Sequence, residues 1–297
     1  MTKILLPGRS GQVGAELQTA LAPLGTVIAL DRSGMDLASP DSIRRAIRDA
    51  KPEIIVNSAA DNNVDKAESE PDLAMQVNGV APGIMAEEAK RLGAILIHYS
   101  TDYVFDGELG RPYTEEDAPN PVNTYGKTKL AGERAIKAMG GAYVIFRTSW
   151  VYAARGHNFL RTILKLARER TELKIVNDQI GAPTWARSVA EITAGVLTTD
   201  GGNLDKLRGK TGLYHLTAAG ATSWFGFAEA ILAEAKGMLG KAIPKVIPIP
   251  TSEYPTPARR PANSRLDNSK FFKTFGLTPP AWDAMLRQCI REIATGD

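Results

Sequence analysis

The run Lys3-Ile4-Leu5-Leu6-Pro7 followed by Gly8-Arg9-Ser10-Gly11-Gln12-Val13-Gly14 restricts this chain more than any other segment. A short apolar strand that enters G-x-x-G-x-x-G and then a helix-forming stretch reads as the first βα turn of a parallel sheet. Gly8, Gly11 and Gly14 let the backbone turn sharply and approach a pyrophosphate, and Gln12 and Val13 open the helix whose free N–H groups and positive end would face that charge. The spacing is one residue longer than G-x-G-x-x-G, and in a chain with 27 glycines the triplet alone is weak. Its surroundings strengthen it. Asp31 closes a second apolar run about 20 residues after Gly11, where a carboxylate would accept the adenosine ribose hydroxyls of a dinucleotide. Asp31 disfavours a 2′-phosphate, whereas Arg32 beside it offers one a bidentate partner, so NADH and NADPH both stay open. Asp36 and Leu37 follow a short loop at the adenine side. Asn57-Ser58-Ala59-Ala60 ends a later strand in small residues, as a backbone passing under a cofactor would require.

The rest of the chain repeats the pattern. β-rich runs at 3–6, 26–30, 53–57, 94–99, 142–146 and 173–176 alternate with helix formers at 12–24, 40–50, 71–92 and 125–139. This alternation predicts an α/β fold, a Rossmann-type doubly wound parallel sheet with helices on both faces. Beyond about residue 181, Pro183, Pro244, Pro248, Pro250, Pro255, Pro257, Pro261, Pro279 and Pro280 break the chain around one strong helix at 224–238. That texture predicts a smaller C-terminal substrate-binding lobe. The expected division is an NAD(P)-binding domain at 1–180 and a lobe mainly at 181–297, with some segments returning to the first domain.

Composition removes other classes. Hydrophobic residues at 43% and charged residues at 23% exclude a disordered, collagen-like or disulfide-scaffold chain. The net charge of +3, with basic residues dispersed, gives no nucleic-acid footprint. Cys289 has no partner for an internal disulfide, and no Cys/His set has zinc spacing, so no metal ligand is named. The first residues enter a strand without the apolar core of a signal peptide, and no apolar run nears the ~20 residues of a membrane span, so no membrane partner and a cytoplasmic location are expected.

Tyr125-Gly126-Lys127-Thr128-Lys129 places Tyr125 and Lys129 at i and i+4 on one helix face. Reducing a carbonyl requires a proton for the new alkoxide, and a phenol of pKa ~10 yields one readily only when a nearby cation stabilises the phenolate. Lys129 could supply that charge and hold a nicotinamide ribose. The strand at 94–99 ends in Ser100-Thr101-Asp102, and ligands of open α/β sheets sit at the carboxyl ends of strands, so Thr101 is placed to hydrogen-bond the same carbonyl oxygen.

Together these residues resemble the extended short-chain dehydrogenase/reductases and, within them, the dTDP-4-dehydrorhamnose reductase family. The likeness spans nearly the whole chain: residues 8–14, Val64-Asp65-Lys66-Ala67-Glu68, residues 99–107, 125–133 and 147–152, 178–184, and Arg260-Pro261. The resemblance implies that Tyr125 is the proton donor, Lys129 its cationic partner and a ribose ligand, and Thr101 a substrate ligand that tunes the acid. It further implies that Gly11, Gln12 and Val13 cradle the pyrophosphate, while Asp31, Asp36, Leu37, Ala60 and Tyr99 line the remaining cofactor. Asp102 and Trp150 would meet the sugar, the indole against its C–H face, with Asn158 and Arg260 as further substrate ligands. Arg259 and Arg265 accompany Arg260 where a nucleotide diphosphate would need cations. One departure is Asp61-Asn62-Asn63, where the family usually has a Tyr/His-Thr pair; Asn62 still offers a hydrogen bond. Magnesium is associated with the family, but no ligand set is assigned, and a homodimer is left open. The implied substrate is dTDP-4-dehydrorhamnose, reduced with NADH or NADPH. Two rivals remain: an NAD-recycling epimerase or dehydratase, and a non-catalytic NADP-binding regulatory subunit. Dehydratases place a Glu directly after the Thr-Asp pair, where this chain has Tyr103.

Overall fold

The computed structural model describes residues 1–240 and 243–296. Its centre is a six-stranded parallel sheet. The strands β1 (Thr2–Pro7), β2 (Gly25–Leu30), β3 (Ile54–Asn57), β4 (Ile95–Thr101) and β5 (Ala142–Thr148) alternate with helices α1 (Gln12–Leu21), α2 (Pro40–Ala50), α3 (Val64–Ser69), α4 (Pro71–Met75), α5 (Ala81–Leu92) and α6 (Thr124–Met139). Across the sheet the order is β2, β1, β3, β4, β5 and then the late strand Gly212–His215. The order reverses between β1 and β3, and in doubly wound sheets the ligand crevice opens there, beyond the carboxyl ends of the strands.

Period-two alternation divides each strand between two cores. Ile4, Leu6, Ile54, Val56, Ile95 and Ile97 face α1 and helix α8 (Ala186–Thr198, after α7, Phe159–Glu169), whereas Leu5, Ile55 and Leu96 face α2 and α5. Both faces are covered, so the central strands read as continuous Ile/Leu/Val.

The sixth strand expected at 173–176 is not in this sheet. Glu172–Val176 pairs in parallel with Lys245–Ile249 in a separate two-stranded sheet, and the sixth place is taken by Gly212–His215 beside β5. Apolar runs of four or five residues carry no information about which sheet they join.

A third core gathers Tyr152, Leu160, Ile163, Leu173, Trp185, Phe227, Ile231, Met285 and Cys289. Residues 160–176 therefore pack in this second lobe, while Val189, Leu216, Phe271 and Phe275 return to the first core. The return of later segments to the first core is as expected, and residues 160–176 join the third core ahead of residue 181. The helix expected at 71–92 is broken locally, with a π turn at Gln76–Val80 between α4 and α5. Among the described residues no helix is long and apolar enough to cross a membrane.

Candidate active site

The glycine loop lies at the carboxyl end of β1, facing the turn after β3. Gly8 adopts φ +88°, and a Cβ there would stand 2.6 Å from the Ala59 nitrogen. A Cβ at Gly14 would overlap the Gly8 carbonyl. The loop thus tolerates no side chain at either position. Gly11 caps α1 without a side-chain acceptor, which leaves the first N–H groups of the helix unpaired by the chain. They face a cavity of ≈ 390 Å³ lined by Gly8, Gly11, Asp31, Arg32, Asp36, Leu37, Ala59, Ala60 and Asn62. A tight glycine cradle, free N–H groups and a carboxylate at the far end fit a dinucleotide. Ser10, Ser58, Asp61 and Lys66, which lie in the segments singled out above, also line the cavity, as do Met35, Leu73 and Val77, which no sequence pattern indicated.

Asp31 is already engaged. Ser33 donates to its Oδ1 at 2.6 Å from the hydroxyl and 3.0 Å from the backbone, and Arg9 donates to Oδ2 at 2.7 and 3.1 Å. These bonds hold the carboxyl down at about 2. The basic group closest to Asp31 is therefore Arg9, within the glycine loop itself; Arg32 is turned to Asp36 at 3.4 Å.

The other cofactor residues are placed unevenly. Gln12 accepts from Asn158, and Val13 packs on the first core, so they offer backbone N–H groups rather than side chains. The Tyr99 ring is buried in that core with its hydroxyl 2.7 Å from Thr193 on α8. Its side chain does not line the cavity. Its carbonyl accepts from the Lys129 ammonium at 2.6 Å.

Helix α6 presents the reactive pair. Asn123 caps it by accepting from Gly126, and Glu68 of α3 accepts from the backbone and hydroxyl of Thr124. A Cβ on Gly126 would collide with the Tyr103 carbonyl. The glycine therefore brings the helix against the segment after β4, so that Tyr125 and Thr101 come together. Both Tyr125 and Lys129 are buried, at 8% and 2% exposure. The Tyr125 hydroxyl donates to Asn62 Oδ1 at 3.4 Å. Burial raises the phenol pKa, while the facing Thr101 hydroxyl lowers it in part. Burial brings Lys129 down to about 8, against the opposing charge of Glu133. The Lys129 ammonium contacts Tyr99 rather than the phenol, so the lowering of the Tyr125 pKa expected from Lys129 is not present in this resting arrangement.

Beneath the pair, Glu133 lies one turn past Lys129. It accepts from Arg147 at 2.8 and 2.6 Å and from Ser100 at 2.6 Å, all three side chains being buried. This network ties α6 to β4 and β5. The i, i+4 spacing from Lys129 to Glu133 was its available signal.

The expected sugar ligands are largely committed elsewhere. Trp150, at φ +48°, stacks on Trp224 with centroids 3.5 Å apart and planes 8° from parallel. Its other face lies on Gly181, where a Cβ would stand 2.5 Å from Cε2. These two contacts cover much of the half-buried indole. The left-handed backbone costs about 1–2 kcal/mol, and stacking offsets about 0.5–1.5 kcal/mol. Asn158 caps α7 by accepting from Arg161, and its amide donates to Gln12, Ala153 and Arg155. Its two amide hydrogens are shared among three acceptors, and its oxygen keeps one lone pair beyond the cap. Arg260 pairs with Asp65 at 2.8 Å, and Arg265 donates to Asn263 and Gly110. Arg259 is exposed and 3.8 Å from Glu108. Asp102 is 3% exposed and accepts from the Thr101 hydroxyl at 3.1 Å. Among the described residues no three acidic, His or Cys side chains converge as a metal site.

Sheet order, glycine cradle and Tyr/Lys pair define a reductase of the extended short-chain dehydrogenase type. The RmlD substrate binding domain model matches residues 1–295. A dTDP-4-dehydrorhamnose reductase of Burkholderia thailandensis is 50% identical over 98% of this chain and 99% of its own. The structure of a dTDP-4-dehydrorhamnose reductase from Clostridium acetobutylicum superposes with a TM-score of 0.90 at 37% identity, covering 98% of this chain and 99% of that one. Another from Bacillus anthracis, in complex with NADP, has a TM-score of 0.88 at 32% identity, covering 98% and 99%. The chain belongs to the dTDP-4-dehydrorhamnose reductase family.

Proposed function

We propose that this chain reduces the C4 ketone of dTDP-4-dehydro-L-rhamnose to dTDP-L-rhamnose with NADH or NADPH, in the service of polysaccharide synthesis. The observation that carries the reading is convergence: the buried Tyr125 hydroxyl, the facing Thr101 hydroxyl and the Lys129 ammonium meet at the carboxyl end of β4, and Asn62, which accepts from Tyr125, also lines the dinucleotide cavity.

A bound nicotinamide supplies the hydride. The chain's own residues do the rest. Gly8, Gly11 and the start of α1 hold the pyrophosphate, and Asp31 with Arg9 meets the adenosine ribose. Tyr125 gives its proton to the ketone oxygen as charge develops there, a step worth about 10²–10⁴ in rate. Thr101 hydrogen-bonds the same oxygen. Lys129, a cation below a pH of about 8, holds the cofactor ribose, and it stabilises the phenolate left behind once its ammonium turns from the Tyr99 carbonyl. Burial of all three excludes water and strengthens each interaction.

The test is oxidation of NADPH and of NADH, followed by absorbance, with dTDP-4-dehydrorhamnose beside its UDP and GDP counterparts. Turnover restricted to, or fastest with, the dTDP sugar is expected; none with that sugar overturns the assignment. A cytoplasmic location and a homodimer belong to the same reading, and cell fractionation and sedimentation test them.

A further inference from the structure

The Thr101 hydroxyl has one hydrogen and two lone pairs. One lone pair accepts from the Tyr103 backbone N–H at 3.1 Å, and the hydrogen is spent on Asp102 Oδ1, also at 3.1 Å. A ketone oxygen offers lone pairs and no hydrogen. While Asp102 takes the Thr101 hydrogen, Thr101 can accept but cannot donate to that ketone. The other Asp102 oxygen is fully buried with no well-formed hydrogen bond among the described residues, the Ser264 hydroxyl alone offering its charge some support. A carboxylate buried this way loses its hydration with little in return, whereas a carboxylic acid needs less solvation and has a hydrogen to give.

We propose that Asp102 is a positioning residue: as a neutral carboxylic acid it donates to the second lone pair of Thr101 and turns the Thr101 hydrogen onto the ketone oxygen. The chain Asp102 O–H to Thr101 O–H to ketone is cooperative, each bond polarising the next. Tyr125 then delivers its proton to an oxygen already held by a second donor, and no bond to Asp102 itself forms or breaks in the reaction. This inference rests on the reductase reading above.

The surroundings of Asp102 agree. Tyr125 faces it from α6, Tyr103 from its own segment and Ser264 from the 258–267 segment. Arg260 is the nearby cation, and its charge falls on Tyr103 while its hydrogen bond goes to Asp65. Burial pushes the Asp102 carboxyl up to about 7, with Ser264 and Thr101 opposing in part.

The neutral acid is present at low pH and lost as pH rises through about 7, so kcat/KM of the wild type should fall about twentyfold between pH 6 and 8, about tenfold of it from Asp102 and the rest from Lys129. Asp102→Asn keeps a donor that does not titrate. It should fall only about twofold over that range, as Lys129 loses its proton near 8, and Asp102→Ala should lose kcat more than it raises KM. Infrared difference spectra of wild type minus Asp102→Asn, recorded on the protein alone at pH 6, should contain the C=O stretch of a protonated carboxyl. A wild-type pH profile retained in Asp102→Asn, or an ionised Asp102 at pH 6, overturns the proposal. If the wild type fails to turn over the ketosugar, the reductase reading falls, while the spectrum still decides the state of Asp102.

Discussion

The dinucleotide side and the sugar side of this site differ in how their residues are employed. On the first, Gly8, Gly11, Asp31, Leu37 and Ala60 line one cavity, with Asp31 held by Arg9 and Ser33. On the second, Trp150, Asn158 and Arg260 are bound to Trp224, Gln12 and Asp65. A dinucleotide cradle is made by backbone shape, which glycine spacing encodes locally. The side chains expected around the sugar are held by partners 50 to 200 residues away in sequence, and spacing says nothing about those partners.

Substitutions can break that contrast. The largest effect should come from Tyr125→Phe, which removes the proton donor without changing the fold: kcat should drop about 10²–10⁴-fold with the circular dichroism spectrum and cofactor Kd retained. A drop below tenfold would place the proton source elsewhere and would favour the regulatory-subunit rival. Glu133→Ala strands Arg147 as a buried unpaired cation, and urea unfolding should register a loss of about 3–5 kcal/mol. A loss below 1 kcal/mol would mean that the Glu133–Arg147 network does not hold α6 in place.

The sugar side gives smaller effects. Gly181→Ala drives a methyl into the Trp150 indole and should cost about 1–3 kcal/mol, with a shift in tryptophan fluorescence as the stack with Trp224 is disturbed. Asn158→Ala removes a helix cap and should cost about 0.5–2 kcal/mol with KM for the ketosugar unchanged; a large rise in KM at unchanged stability would restore Asn158 as a direct ligand. Smallest is Arg9→Ala at the far end of the cofactor. Losing an exposed cation there should raise KM for NADPH relative to NADH about two- to fivefold, and no change in that ratio would remove Arg9 from cofactor choice.

The same contrast explains what could be read in advance. The strands at 3–6, 26–30, 53–57, 94–99 and 142–146 and the Tyr125/Lys129 pair were legible because each is a local pattern: an apolar run between punctuating residues, or two side chains one turn apart. The run at 173–176 has the same composition but pairs with Lys245–Ile249, because partner choice is a long-range matter. The resemblance names Tyr99 beside the cofactor without saying which of its atoms; alternation sends its ring into the core beside Ile97, and its carbonyl accepts from Lys129. The two-sided cover over Trp150 depends on Gly181 and on Trp224, so no motif around 147–152 could reveal it.

The most direct test of the account is single-turnover reduction of dTDP-4-dehydrorhamnose with nicotinamide deuterated at C4, with the sugar product read by NMR. The account predicts one deuterium at C4 of dTDP-L-rhamnose, one equivalent of oxidised cofactor released and a rate abolished in Tyr125→Phe. Deuterium absent from C4, or a cofactor returned unoxidised at the end of turnover, would contradict it.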